Sequence, residues 1–207
     1  MQPLEQWANQ STSHENGLGS IETLLPIAND LIVGTIGGEC FRFDQSDLNL
    51  GNAEPKQGVY LRESEILALC ADTDNESFWQ VSMMATCSVF PSTMQVMEEF
   101  RASDEPIRSI KIDTRRNRIL VAGDDGEIRF YRRGFNGAER LFAIDWGFAE
   151  VERMEYVAIR DHLAIIYAGE TAIRTIDLDQ LENQLIDLNV LPGHKENRRL
   201  TVATESP

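Results

Sequence analysis

Residues 117–131 read NRILVAGDDGEIRFY, and residues 29–43 read NDLIVGTIGGECFRF. The two stretches align without a gap at an offset of 88 residues, which is twice 44. Each contains an apolar segment, a turn with glycine, and a second segment in which apolar and polar side chains alternate. Glycine supplies the positive φ of a tight turn, and alternation with period two is typical of a half-buried strand. Both stretches therefore predict a β-hairpin, and their spacing predicts a repeated unit.

Two further copies of the unit complete the pattern. Residues 67–73 resemble residues 107–114, and both segments end in Asp-Thr. This second copy lacks the turn glycine, and the fourth copy follows the third after about 44 residues. The strands predicted in the second and fourth copies are residues 67–73, 78–84, 87–90, 151–157, 162–167 and 172–178.

Each copy also has room for a fourth strand. These strands are predicted at residues 58–62, 94–97, 141–146 and 184–188. Residues 94–101 also fit a short helix, because their apolar side chains recur at helical spacing, and residues 180–184 are ambiguous in the same way. Four strands in about 44 residues is the pattern of a β-propeller blade. The predicted fold is all-β and propeller-like, with about four four-stranded antiparallel blades and one extra strand at residues 200–205.

These residues carry a resemblance to a known family. The stretch 119–131 resembles the core of a WD-repeat blade, in which a small residue and Asp-Gly precede a strand that ends in Trp-Asp. Tyr131-Arg132 stands at the Trp-Asp position here, and Phe43-Asp44 and Ile176-Asp177 stand there in other copies. Gly193-His194 resembles the Gly-His that opens such repeats. The resemblance covers about residues 20–205 and implies a β-propeller that binds other proteins.

The number of blades leaves the closure of the propeller open. WD-repeat propellers commonly have seven blades, and four blades with one strand leave an edge that invites pairing with another chain. The alternatives are a small ring in which the last strand completes the first blade, a ring completed by a partner chain, and a truncated fragment. We place a truncated or partner-completed propeller ahead of a self-closed ring. Residues 1–19 are predicted to be a polar tail, and residues 20–207 the repeat domain.

Composition narrows the classes of partner. The 207 residues include 42% hydrophobic ones, enough for a core, and carry a formal charge of −15. Residues 1–100 hold 3 basic and 15 acidic groups, a net charge of −12, and residues 101–207 hold 16 and 19, a net charge of −3. A negative field repels phosphate backbones and anionic lipid, so we expect no membrane partner and no nucleic-acid partner.

Three cysteines without a paired spacing, and a start without a signal peptide, predict a cytoplasmic protein with reduced thiols. Cys40 and Cys87 lie in alternating strands and are expected to be buried. Three scattered histidines, His14, His162 and His194, do not make a metal or catalytic cluster. We therefore expect no catalytic residue, no cofactor and no metal site, and interpret the chain as a non-enzyme.

One charge pattern is a candidate site. The third copy concentrates arginines in an otherwise acidic chain, and Arg129 and Arg140 belong to this group. Guanidinium groups make bidentate contacts with carboxylates and phosphates. The predicted partner-binding residues are Arg115, Arg116, Arg118, Arg132 and Arg133. The alternative interpretation is that these arginines pair with acidic groups of the neighbouring blades.

The function predicted from these observations is a non-catalytic protein–protein interaction module, a propeller subunit of a multi-protein assembly. Its partner would complete the propeller or pair with the open edge. A first alternative is an enzyme or small-molecule sensor with a ligand in the propeller channel, lined by the first strands near Glu22, Leu69, Ile110 and Met154. A second alternative is an acidic regulatory or inhibitory subunit that acts through residues 1–100.

Overall fold

The structure is a computed structural model that describes residues 20–49, 54–61, 64–72, 77–91, 94–133, 138–147, 149–187 and 199–201. The chain divides into two compact units, Met1–Arg101 and Ala102–Pro207. None of the helices in the described part has the length and apolar character that crossing a membrane requires.

The first unit contains two four-stranded antiparallel sheets, each built from consecutive strands. The first sheet consists of β1 (Ile21–Ile27), β2 (Asp30–Thr35), β3 (Glu39–Asp44) and β4 (Gln57–Tyr60). A short helix, Gln45–Asn49, follows β3. The second sheet consists of β5 (Ile66–Asp72), β6 (Ser77–Ser82), β7 (Thr86–Pro91) and β8 (Glu98–Arg101).

The two sheets of the first unit meet through their inner strands. β1 and β2 lie against β5, and a Cβ atom on Gly34 of β2 would stand 2.7 Å from the Ile66 side chain of β5. Glycine at this position therefore permits the close approach. Phe78 and Phe90 stack in the core between the sheets, with ring centroids 5.2 Å apart.

The second unit contains the third and fourth sheets. The third sheet consists of β9 (Ile107–Asp113), β10 (Arg118–Gly123), β11 (Ile128–Arg132) and β12 (Glu139–Asp145), and β16 (Arg199–Thr201) adds to β12 in parallel. The fourth sheet consists of β13 (Val151–Val157), β14 (His162–Tyr167) and β15 (Arg174–Asp177). A one-turn 3₁₀ helix, Ala158–Arg160, connects β13 to β14, and a longer helix, Leu178–Asp187, follows β15.

Apolar side chains from both sheets and from this last helix form the core of the second unit. β9 lies against β13, and the rings of Phe130 and Phe142 stack with centroids 4.4 Å apart. The helix contributes Leu178, Leu181 and Leu185, whose spacing places them on one face. That face is buried because it completes the core of the fourth sheet.

The repeat predicted from the sequence is confirmed. All four copies form antiparallel sheets, and the turns between the second and third strands need the left-handed backbone for which glycine was expected. Gly38 and Gly126 have φ of 81° and 72°. In the second copy, which lacks the glycine, Ala85 adopts a φ of 58° instead.

Two of the predicted fourth strands are wrong. Residues 184–188 were expected to form a strand, but residues 184–187 belong to the helix Leu178–Asp187, so the described part of the fourth sheet has three strands. The leucines of this helix recur at helical spacing and pack into the core, which decides against the strand. Residues 180–184, which fitted either structure, are helical. Residues 94–97 are also not a strand; Met94 has a φ of 57°, and β8 begins at Glu98. The alternative helix over residues 94–101 is wrong as well.

The extra strand also differs from its prediction. Residues 200–205 were expected to form an extra strand, which would complete the first blade if the ring closes on itself. The described part, Arg199–Thr201, instead pairs with β12 of the third sheet. The tail at residues 1–19, and with it His14, lies outside the described residues, as does Gly193-His194. The tail and the 20–207 domain boundary stay predictions.

Candidate functional site: the arginine turn of the third sheet

The predicted arginines gather around the turn that joins β9 to β10, residues 114–117, which we name the arginine turn. Asn117 adopts a φ of 54°, and the Asp113 carboxylate accepts the backbone N–H of Arg116 at 3.1 Å. The N–H of Arg133 donates to the Asn117 carbonyl at 3.1 Å, so the end of β11 lies beside this turn. Backbone geometry thus brings arginines from two connections of the sheet to one end.

Arg116 is the centre of an ion-pair network. Its side chain is only 6% exposed. Its Nε donates to Glu182 at 2.6 Å, and its two Nη atoms donate to the Asp161 carboxylate at 2.8 and 2.5 Å. The same guanidinium contacts Asp113 at 3.2 Å and Asp179 at 2.5 Å. One buried cation therefore joins the third sheet to the fourth sheet and to its helix.

Asp161 is the main acidic partner and follows the 3₁₀ turn of the fourth sheet. Its φ of 54° is left-handed, and its carboxylate also accepts from the Tyr156 hydroxyl and from Arg115, each at 3.0 Å. The hydrogen bonds from Arg116 lower the pKa of Asp161 to about 2. Burial, together with the hydrogen bond to Asp161, raises the pKa of Tyr156 to about 12. Both groups hold one charge state across the neutral range and fix this turn in place.

Arg115 differs sharply from Arg116, although the two are neighbours in sequence and share partners. Arg115 contacts Asp161 at 3.0 Å and Asp179 at 3.2 Å, but its side chain is 58% exposed. Arg118 is buried and donates to Glu182 at 2.5 Å. Burial tends to raise the pKa of Glu182, but hydrogen bonds and charge from Arg116 and Arg118 lower it overall. The guanidinium group of Arg115 is exposed to solvent, whereas those of Arg116 and Arg118 are buried in ion pairs within the second unit.

The other two predicted residues, Arg132 and Arg133, lie at the end of β11, beside this turn. Arg133 donates through Nε to the Asn117 side chain at 2.7 Å, and Asn117 donates back to the Arg133 carbonyl. Arg132 contacts Glu139 at 3.2 Å, and both side chains are exposed. Arg129 and Arg140 belong to a different group, because both contact Glu127.

The structure brings the five predicted arginines to one end of the third sheet. The alternative interpretation, pairing with acidic groups of the neighbouring copy, describes Arg115, Arg116 and Arg118. Partner binding stays a prediction, and its exposed members are Arg115 and Arg132.

Sequence reasoning missed the most exposed apolar side chain of this region. Ile159, on the 3₁₀ turn that Asp161 anchors, is 94% exposed and has the exposed Arg160 beside it in the chain. The signal lay in the fourth copy, where the Ala158–Arg160 turn occupies the place of the arginine turn. The sequence shows that an isoleucine stands between two predicted strands of the fourth copy, but it does not show that this side chain is exposed.

Other chemistry has less support among the described residues. No group of three or more His, Cys, Asp or Glu side chains there is arranged to hold a metal ion. Of the first-strand positions named for a channel ligand, Leu69, Ile110 and Met154 are buried apolar side chains, and Glu22 is exposed. The channel-ligand and regulatory alternatives stay predictions.

Comparisons with known proteins identify the fold. The WD40 β-propeller domain of Doa1 matches with a TM-score of 0.62 at 11% identity, over 77% of this chain and 51% of that chain. The RRP9 WD40 repeats match with a TM-score of 0.68 at 8% identity, over 81% of this chain and 50% of that chain. The chain has the fold of WD40 β-propeller blades.

The WD-repeat resemblance found in the sequence is therefore confirmed at the level of the fold. The chain spans about half the length of both WD40 structures. No protein-family model matches the chain, and no curated protein matches it. At 8% and 11% identity, the likeness to these WD40 structures concerns the fold alone.

Proposed function

We propose that this chain is a non-catalytic protein-interaction module that serves as a propeller subunit of a multi-protein assembly. The WD40 fold generally mediates protein–protein interactions, which supports this class of function. A fold alone does not assign a function, so the proposal depends on a surface with the chemistry of a binding site. The end of the second unit that carries the arginine turn offers such a surface.

The observation that carries the proposal is the presentation of Ile159. Its side chain is almost fully solvent-exposed and lies on the turn Ala158–Arg160. Asp161 follows this turn, and its carboxylate accepts hydrogen bonds from Arg115, Arg116 and Tyr156. An apolar side chain on a rigid turn loses little conformational freedom when a partner covers it, which favours binding. The buried network thus pre-organises a protruding apolar contact.

The charges at this end select the kind of partner. Arg160 is exposed next to Ile159 in the chain, and Arg115, which is 58% exposed, contacts Asp161 at the end of the same turn. Exposed cations beside an apolar side chain favour a partner surface with carboxylates next to an apolar pocket. We propose that the partner is acidic here, and that neither nucleic acid nor membrane is involved. A cytoplasmic location is part of the proposal, because the three cysteines of the sequence have no paired spacing, which favours a reducing compartment.

Affinity purification with quantitative mass spectrometry tests this function. The tagged chain and an Ile159→Asp variant are compared with Ile173→Asp, a control that changes another exposed isoleucine of the second unit. We expect a protein recovered in stoichiometric amount with the wild type and with Ile173→Asp, and lost with Ile159→Asp. Failure to recover any stoichiometric protein would overturn the proposal, as would equal recovery with all three chains.

A further inference from the structure

A second surface lies in the second unit, at the outer edge of the third sheet. β12 pairs antiparallel with β11 on one side, and β16 (Arg199–Thr201) pairs with its other side in parallel. The parallel register joins Ala143–Asp145 to β16 and sets Ile144 opposite Leu200. The structure therefore shows that this edge accepts an added strand, and in which direction.

The sequence of β12 explains where the added strand lies. The register between β11 and β12 skips Leu141, so β12 has a bulge there. The charged residues Glu139 and Arg140 lie before the bulge, and the apolar segment 142–144 lies after it. Charges and bulges protect a sheet edge from pairing, whereas a flat apolar segment invites pairing. β16 adds on the apolar side of the bulge, so the docking edge is Ala143–Asp145.

The fourth strands of the first two sheets are better protected. β8 has charged side chains at three of its four residues, Glu98, Glu99 and Arg101. β4 also has four residues and contains Gly58, which weakens a strand because it has no side chain to pack. β12 has seven residues. Among the fourth strands that the structure describes, β12 thus presents the longest segment to an incoming strand.

β16 is held weakly on this edge. Its described residues make three register pairs with β12, whereas β11 makes five. Parallel pairing is slightly less stable per residue than antiparallel pairing. Short peripheral segments also open more easily than the core of a domain. β16 is therefore a cover that can leave the edge while the antiparallel pairs of the third sheet remain.

We propose that the outer edge of β12 is a docking site for an extended segment of a partner protein, which adds in parallel and replaces β16. The main-chain groups of Ala143–Asp145 would hydrogen-bond to the incoming strand and supply the affinity. The register of β16 indicates the chemistry of this segment, which is an apolar residue opposite Ile144 with a polar residue on each side. This inference rests on the proposed interaction function. It adds a second contact, at the end of β11 opposite to Arg132 and the arginine turn.

The built-in strand sets a threshold for the partner. While β16 covers the edge, the apparent affinity for an incoming segment is reduced in proportion to the fraction of molecules with an open edge. A second copy of the chain is disfavoured as the occupant, because each β16 reaches its own β12 at the high effective concentration of a tethered segment. A partner with a longer extended segment can form more main-chain hydrogen bonds than β16 and so replaces it.

Binding of a labelled peptide tests the inference. The probe is a synthetic copy of residues 197–204, NRRLTVAT, and its binding is followed by fluorescence anisotropy. In the full chain, Leu200→Pro removes a main-chain N–H and disfavours β16, whereas the control Leu200→Ala keeps the N–H. We expect Leu200→Pro to bind the peptide about tenfold more tightly than the wild type, roughly 1.4 kcal/mol, and Leu200→Ala to stay within about threefold of the wild type. A peptide with proline in place of leucine should bind to none of the three chains.

Hydrogen exchange gives an independent measurement on the wild type. The amides of residues 199–201 should exchange faster than those of β10, because β16 opens without the rest of the sheet. Exchange in Ala143–Asp145 should rise in Leu200→Pro and fall again when the peptide is added. The wild-type measurement decides the inference even if Leu200→Pro does not fold, which circular dichroism would show.

Several outcomes would overturn the inference. These are β16 amides as protected as those of β10, peptide binding that is equal in Leu200→Pro and the wild type, and an equal gain in Leu200→Ala. Concentration-dependent dimers of Leu200→Pro in analytical ultracentrifugation would also overturn it, because a second copy would then fill the edge. These assays do not involve Ile159, so their failure is distinct from failure of the proposed function.

Discussion

Replacing Arg116 by alanine should destabilise the protein far more than replacing its neighbour Arg115. Both guanidinium groups contact Asp161 and Asp179. They differ in burial, because the Arg116 side chain is 6% exposed and that of Arg115 is 58% exposed. Comparing the two variants therefore measures the effect of burial, because both arginines contact the same two carboxylates.

The magnitude follows from the groups that the substitution leaves behind. Without Arg116, the carboxylates of Asp113 and Asp161 stay buried beside each other and lose their shared cation. Removing one partner of a buried ion pair costs roughly 3–5 kcal/mol, whereas an exposed pair contributes roughly 0.2–1 kcal/mol. We expect Arg116→Ala to lower the free energy of unfolding by about 4 kcal/mol, and Arg115→Ala by less than about 1 kcal/mol. A domain with about 5–15 kcal/mol in total would be close to unfolding after the first change.

Urea unfolding at neutral pH, followed by far-UV circular dichroism, measures both values. If Arg116→Ala does not fold in buffer, its unfolding curve is recorded in a stabilising osmolyte with the wild type alongside. The difference between variant and wild type should narrow below pH 4, because protonation of the carboxylates removes the same interaction. Equal losses for the two variants, or a loss below about 1 kcal/mol for Arg116→Ala, would refute the assignment of Arg116 as the buried centre of the network.

Three further predictions follow from the structure. The pKa of Asp161 is lowered from 3.8 to about 2, so its carboxylate contributes about 2 kcal/mol to the free energy of unfolding. This contribution is complete above pH 4 and is lost as the pH falls towards 2. Urea midpoints measured against pH should show this loss in the wild type but not in Asp161→Asn. Gly38→Ala should lower the melting temperature more than Gly147→Ala, because both positions have positive φ but only a Cβ on Gly38 meets backbone, at 2.8 Å. Burial raises the pKa of the Cys40 thiol to about 12, so a thiol reagent at pH 8 should modify the half-buried Cys70 in the native protein and leave Cys40 unmodified until it unfolds.

Much of the fold was predictable because the strands carry their own signal. The apolar segment before each hairpin turn and the positive φ of Gly38 and Gly126 are local properties, and local properties can be recognised from sequence. The helix Leu178–Asp187 was recognised only in part, because residues 180–184 fitted either a helix or a strand and residues 184–188 were predicted to be a strand. Residues 184–188 are mostly apolar, as a short strand is, but burial of three leucines against the fourth sheet stabilises the helix. The core that decides between the two structures is assembled from distant segments.

The candidate site was predictable only in part. The sequence located the arginines, because composition alone distinguishes the third copy. Arg115 and Arg116 look identical in sequence, yet the fold buries one and exposes the other. The acids that pair with Arg116 come from the fourth sheet and its helix, and their identity required the packing of the two sheets.

The network around Arg116 has a consequence for the order of events during synthesis. Its carboxylate partners Asp161 and Glu182 are made 45 and 66 residues later. At roughly 5–20 residues per second, Arg116 is made roughly 2–13 seconds before Asp161 and Glu182. During that interval Asp113 is the partner of this network that has already been made, so the positive charge at this end of the third sheet is only partly compensated. Emergence of the helix would then end this window, so translation speed across residues 117–182 should influence the yield of native protein.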